Sequence, residues 1–224
     1  MEEARRIAID GEISGTRPQD AHDVAATYRL IVDPELHRRN PSDADELLGM
    51  LRARHGVLMA ARPDKRPGQF KLSANYAGGY RFVDPDLLIG TLRRGFEALA
   101  KLTDPLHRAI AMMFLLTECH PFDDGNGQIA RLLANAELSR AGQVRLVIPT
   151  VYRNNYLAAL SGTSHGAGQG ESLISVLRFA QAWTAAVDWT SYDRAHADVE
   201  ASNGFLDPAI AEASGQRLRM PPPS

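Results

Sequence analysis

Residues 106–138 read LHRAIAMMFLLTECHPFDDGNGQIARLLANAEL, and this stretch decides the fold: an apolar run, a short polar turn, then a second helical pattern. Positions 106–119 are apolar nearly all round, the mark of a helix buried inside a mainly helical domain. Asp104 and Pro105 supply an acidic N-cap and a proline at the first helical position. Pro121 disfavours helical geometry at His120, so the helix ends there and leaves the imidazole at its C-terminus. Positions 123–127 hold two glycines and an asparagine, which tolerate positive φ and let backbone N–H groups converge on an anion. A second helix is expected from about Gln128, with Leu132, Leu133, Ala136 and Leu138 on its buried side. Its N-terminal amides and macrodipole favour phosphate, and Arg131, placed by this reading in the first turn, adds a bidentate clamp.

Taken singly, a histidine beside proline or a Gly-Asn-Gly turn is a structural feature. Together at the end of a buried helix, with Asp124 and Arg131 correctly spaced, they describe a polyphosphate site with a titratable base beside it. Phe122 reads as a core plug that fixes the loop. Cys119 lies next to His120, but adjacent helical side chains point about 100° apart, so the thiol reads as core filler. One cysteine and scattered histidines form no zinc-type cluster.

The remaining composition fits one sizeable domain of 224 residues, 44% hydrophobic. A net charge of −2 and a pI near 6.4 give no footprint for nucleic acid or an anionic membrane. No apolar run reaches spanning length, and MEEARRIAID lacks the apolar region of a signal peptide. With a single cysteine, a reducing cytoplasm is the expected setting, either the cell's own or one into which the protein is delivered.

Helix follows helix along the chain. Expected helices cover 20–31, 44–60 with Ser42 or Asp43 as cap, 85–99 with Leu88, Leu92, Phe96 and Leu99 inward, 152–160, and 173–187 with Trp183 in the core. Residues 70–76 and 80–83, joined through Gly78-Gly79, read as a short hairpin. Residues 162–170 read as a surface loop, and the tail from Gly215 as having little fixed structure.

The stretch His120-Pro-Phe-Asp-Asp-Gly-Asn-Gly127, with Arg131 four residues on, resembles the signature of the Fic family, His-x-Phe-x-(Asp/Glu)-Gly-Asn-Gly-x-x-x-Arg. Residues 67–71 through 78–83 are similar to the family's upstream flap hairpin, and 147–149 and 152–160 to the stretch after its core helix. The resemblance covers about 40–185 and implies a Fic-type helical domain at 15–190. A vestigial inhibitory helix end would lie at 1–14, and a C-terminal helix and flexible tail at 191–224.

The resemblance implies a protein adenylyltransferase that moves AMP from Mg-ATP to a Ser, Thr or Tyr hydroxyl and releases pyrophosphate. His120 would be the general base, Asp124 would hold Mg²⁺, Gly125, Asn126 and Gly127 would form the anion turn, and Arg131 would clamp the distal phosphates. Ala77, Gly78, Gly79 and Tyr80 match the flap tip that covers the nucleotide, and Asn155 and Tyr156 resemble positions near the adenine. The flap would also dock an extended segment of the target protein. Gln128 stands where the family has an additional arginine, so charge on a leaving pyrophosphate is less well matched. Residues 9–12 resemble the end of the family's inhibitory helix, with Asp10 in place of its glutamate and Glu12 as a substitute. Restraint by a separate antitoxin-like partner is the alternative. Two other functions stay open: a Doc-like kinase or transfer of another phosphate-linked group, and a nucleotide- or partner-binding module with little catalysis.

Overall fold

Four of the described helices are capped at their starts by short acidic or hydroxyl side chains. Asp43 accepts the Glu46 N–H, Asp104 the His107 N–H, Ser191 the Arg194 N–H, and Asp207 those of Ala209 and Ile210. The computed structural model describes residues 2–12, 15–166 and 170–222. Among them are ten α-helices: α1 Glu2–Asp10, α2 Pro18–Val32, α3 Ala44–Leu58, α4 Pro85–Leu99, α5 Pro105–Cys119, α6 Asn126–Arg140, α7 Arg153–Ser164, α8 Glu171–Ala186, α9 Tyr192–Ala201 and α10 Pro208–Ser214. One antiparallel hairpin, β1 Tyr76–Ala77 and β2 Tyr80–Arg81, pairs Tyr76 with Arg81 and Ala77 with Tyr80. The fold is mainly α with a small flap, as expected from the sequence. None of the described helices is long and apolar enough to cross a membrane.

The chain divides into two compact units, residues 1–141 and 142–224. In the first, α5 packs against α4 and α6. Leu88, Leu92, Phe96 and Leu99 of α4 are all buried, as are Met112, Met113 and Leu116 of α5 and Ile129, Ala130 and Leu133 of α6. Gly95 permits the close approach of α4 to α5, since a Cβ there would fall 2.3 Å from Leu115 Cδ1. Arg108 of α5 grips buried Glu137 of α6 through two bonds of 3.2 Å, joining the helices by charge as well as by packing. The second unit is centred on Trp183, Val187 and Val199, and Trp183 Nε1 donates to Ser202 Oγ at 3.1 Å.

Several expectations need correction. The hairpin strands are two residues each, extended by one bond from the Phe82 N–H to Asn75 O, while Lys71 turns to the loop after α5 rather than to a cross-strand partner. The Lys71 N–H donates to Pro121 O at 2.8 Å. Helix α6 starts at Asn126, two residues earlier than expected, so Arg131 lies in its second turn. Leu132 is only partly buried, whereas Leu133, Ala136 and Leu138 are core residues. Residues 162–164 continue α7 rather than forming a loop, and 167–169 lie outside the described residues. Before the chain end, the Arg219 N–H donates to Ser202 O at 3.0 Å and Asn203 to Arg217 O at 2.8 Å; Pro223 lies outside the described residues.

Candidate active site

His120 caps α5 in a left-handed conformation, φ 44° and ψ 60°. A non-glycine residue there costs about 1–2 kcal/mol, so the surroundings must impose it. Its N–H still closes the last helical turn on Leu116 O at 3.0 Å. Ring atom Nδ1 lies 3.2 Å from Thr117 O. A carbonyl only accepts, so the neutral ring carries its proton on Nδ1 and its lone pair on Nε2. Phe82 lies flat on the imidazole, with centroids 3.9 Å apart and planes 8° from parallel. Burial lowers the His120 pKa most and Lys71 adds to the lowering, while the Thr117 bond and the Asp124 and Glu118 charges oppose it. The side chain is only partly buried.

The turn that follows is built around Phe122, fully buried as expected and stacked at 3.7 Å on His55 and at 5.4 Å on Phe70. Asn126 closes the turn from within. Its Oδ1 accepts the Phe122 N–H and its Nδ2 donates to Phe122 O, both at 2.9 Å. Gly125 has φ 71°, which favours glycine, and a Cβ there would press on Met59 Cε at 3.2 Å. The first amides of α6, from Asn126, Gly127 and Gln128, have no carbonyl a turn earlier in the helix to bond, an arrangement that suits an anion. Arg131 bends back over this turn, since a Cβ on Gly127 would fall 3.2 Å from its Nη1. Asp124 is exposed beside the same turn, whereas neighbouring Asp123 is engaged by Arg66 at 2.8 and 3.0 Å.

Behind the turn, backbone carbonyls are drawn inward by residues that the sequence reading did not single out. Lys71 Nζ donates to Cys119 O at 2.9 Å and to Asn75 Oδ1 at 2.8 Å. Asn75 Nδ2 donates to His120 O at 3.1 Å and Phe122 O at 3.0 Å. His55 accepts the Gly68 N–H on Nδ1 at 2.9 Å, so its Nε2 carries the proton donated to Asp124 O at 3.2 Å. Burial holds the His55 pKa below its ordinary value, against the bond to Asp124 O and the charges of Asp123 and Asp124. Only glycines and an asparagine marked this turn locally; its supports lie 45 to 69 residues away along the chain.

The flap is tied to α5 as well. Tyr80 Oη donates to Glu118 Oε2 at 2.7 Å, which pushes the phenol up to about 12. Ala77, Gly78 and Gly79 remain exposed at the tip, and both glycines take positive φ to make the tight turn. Among the described residues no group of three His, Cys, Asp or Glu side chains is set to hold a metal. Cys119 is buried, and burial pushes its thiol up to about 12.

With this geometry in place, residues 47–138 match the sequence profile of the Fic/DOC family. This segment is similar to the Fic/DOC family. Among proteins of known name, the chain is 34% identical over 120 residues to protein adenylyltransferase fic-1 of Caenorhabditis elegans, covering 52% of this chain and 23% of that protein. It is 36% identical over 105 residues to protein adenylyltransferase Fic of Aedes aegypti, covering 44% and 21%. The chain therefore spans less than a quarter of the length of these relatives. Solved structures share the fold. A Fic domain containing signaling protein from Bacteroides thetaiotaomicron superposes with a TM-score of 0.65 at 18% identity, covering 97% of this chain and 82% of that one. A Fic-1 fragment from C. elegans superposes at 0.62 and 21%, covering 81% and 55%.

The Fic/DOC segment runs from α3 to α6 and contains His55, the flap, His120 and Arg131. Two groups of residues singled out in the sequence fall outside it. Asn155 is exposed and Tyr156 buried on α7, in the second unit. Asp10 ends α1, and Glu12 just beyond it pairs with Arg6 at 3.3 Å.

Proposed function

We propose that the chain is a cytoplasmic protein adenylyltransferase, moving AMP from Mg-ATP to a Ser, Thr or Tyr hydroxyl of a target protein. The observation that carries this is the His120 ring. With Nδ1 bonded to Thr117 O, the lone pair stands on Nε2, on a partly exposed side chain a few residues before an anion-binding helix N-terminus. In the proposed step Nε2 takes the hydroxyl proton as the oxygen bonds to the α-phosphorus. The bond from that phosphorus to the bridging oxygen breaks, and pyrophosphate leaves. The first-turn amides of α6 and the Arg131 guanidinium stabilise charge on the departing phosphates. The names of the relatives, protein adenylyltransferases in worm and mosquito, support AMP as the group transferred.

Magnesium fits the donor set. Asp124 offers one exposed carboxylate beside the phosphate site, and Mg²⁺ is commonly held by one or two carboxylates together with substrate phosphates. Bound there, the ion would neutralise phosphate charge. The target would dock as an added strand on the exposed flap, with the tip at 77–80 covering the nucleotide. Self-restraint would act through Asp10 or Glu12. Asp10→Gly with Glu12→Gly should then raise self-modification, and unchanged labelling would leave restraint to an antitoxin-like partner.

Incubation with Mg²⁺, cell lysate and ATP labelled at the α- or the γ-phosphate tests the transfer. Protein-bound α label that disappears in His120→Ala is the expected result. γ label alone would instead mean a kinase. No label on any protein would mean a binding module, the alternative that uncharged Gln128 favours.

A further inference from the structure

The two ends of the flap hairpin meet at His120. Asn75 directly precedes β1 and Phe82 directly follows β2, and they are joined by the Phe82 N–H to Asn75 O bond at 3.2 Å. From one side Asn75 Nδ2 holds the His120 and Phe122 carbonyls; from the other Phe82 covers the imidazole face. Lys71 backs the first contact by bonding Asn75 Oδ1, which fixes the amide so that its two donors point at the loop. The Val83 N–H to Glu118 O bond, 3.4 Å, and the Tyr80–Glu118 bond hold the second side to α5. His120 sits in a conformation it would leave if released, so this bracket is needed to keep its ring on Thr117 O.

We infer that Asn75 and Phe82 are positioning residues that fix the tautomer and direction of the His120 ring, making the base of the flap part of the catalytic apparatus. Neither touches the reacting atoms. Asn75 sets the backbone from which the ring projects, and Phe82 blocks rotation of the ring away from Thr117. In kinetic terms the inference rests on the transfer reading, but the ring itself can be observed without turnover.

The test is ¹⁵N NMR of the histidine rings in the full chain, with His120 assigned by its loss in His120→Gln. The wild type should show the His120 proton on Nδ1. Asn75→Asp, which keeps the shape but turns an oxygen toward both carbonyls, should move the signal toward a mixture of tautomers, and so should Phe82→Leu. In the transfer assay kcat should fall about ten- to a hundred-fold with KM for ATP within about three-fold, the pattern of a mispositioned base. An unchanged ring signal in both variants would overturn the inference, whatever happens to activity, and so would a change in KM alone. Should Asn75→Asp fail to show a cooperative melt, Phe82→Leu decides. Should the wild type transfer nothing, the transfer reading falls and the ring signal alone judges the bracket.

Discussion

Gly127→Ala separates stability from function in this site. Gly127 is the second residue of α6, has helical φ, and has nothing near its missing Cβ except the Arg131 guanidinium, at 3.2 Å from Nη1 and 3.9 Å from Cζ and Nη2. In a helix alanine is favoured over glycine by up to about 1 kcal/mol, and about half of that is reasonable in a first turn. For a chain of this size the gain corresponds to a Tm higher by about 1–2 °C. The methyl group, however, needs about 3.5–4.0 Å from its neighbour, so the guanidinium must withdraw by roughly 0.5 Å. If Arg131 clamps phosphate from its present place, a shift of that size lowers transfer by about ten- to a hundred-fold. Thermal melts and initial rates with labelled ATP read the two effects together. In an Arg131→Ala background the same substitution should keep its stabilisation and cost no further activity. Stabilisation with activity unchanged would refute the clamp. A lower Tm would refute the reading that only a flexible side-chain end stands in the way.

Other outcomes follow from the same geometry. Only neutral His120 takes a proton and burial lowers its pKa, so kcat/KM should rise with pH along a limb whose midpoint lies below the ordinary value of about 6.5. A midpoint above that value would contradict the assignment. His55→Phe keeps a ring on Phe122 but orphans the Gly68 N–H and Asp124 O, which should cost about 2–4 kcal/mol in urea melts. A loss below about 1 kcal/mol would deny His55 its supporting role. The folded-state pKa of His55 is depressed, so its contribution is present above the unfolded value and lost as pH falls; the variant should therefore lose less stability below pH 6.5 than the wild type. Cys119, buried with its thiol near 12, should resist a thiol reagent at pH 8 until the chain unfolds, and stoichiometric native labelling would refute that burial.

What the sequence disclosed was local. Asp104-Pro105 and Pro121 bound α5 because capping and proline geometry act on adjacent residues, and the spacing of Leu88, Leu92, Phe96 and Leu99 marked the buried face of α4. The turn glycines were legible for the same reason. His55 was not, because on an amphipathic helix it looks like any other histidine, and its bond to Asp124 O spans 69 residues. Lys71 and Asn75 were hidden similarly: their partners are backbone carbonyls, which no side-chain pattern announces. The early start of α6 escaped because Asn126 and Gly127 are poor helix formers in isolation, whereas the Asn126 side chain, spent on Phe122, lets them enter the helix.

That last contact changes what the asparagine of such a turn signifies. Its amide engages both backbone polar groups of one residue, the N–H and the C=O on either side of the Phe122 Cα, a fit that glutamine overshoots by one methylene and aspartate cannot complete for want of a donor. A chain can therefore keep Gly-Asn-Gly solely to fold its hinge between two helices. In this chain it is the His120 imidazole and the Arg131 guanidinium, rather than the folded turn alone, that the proposed transfer requires.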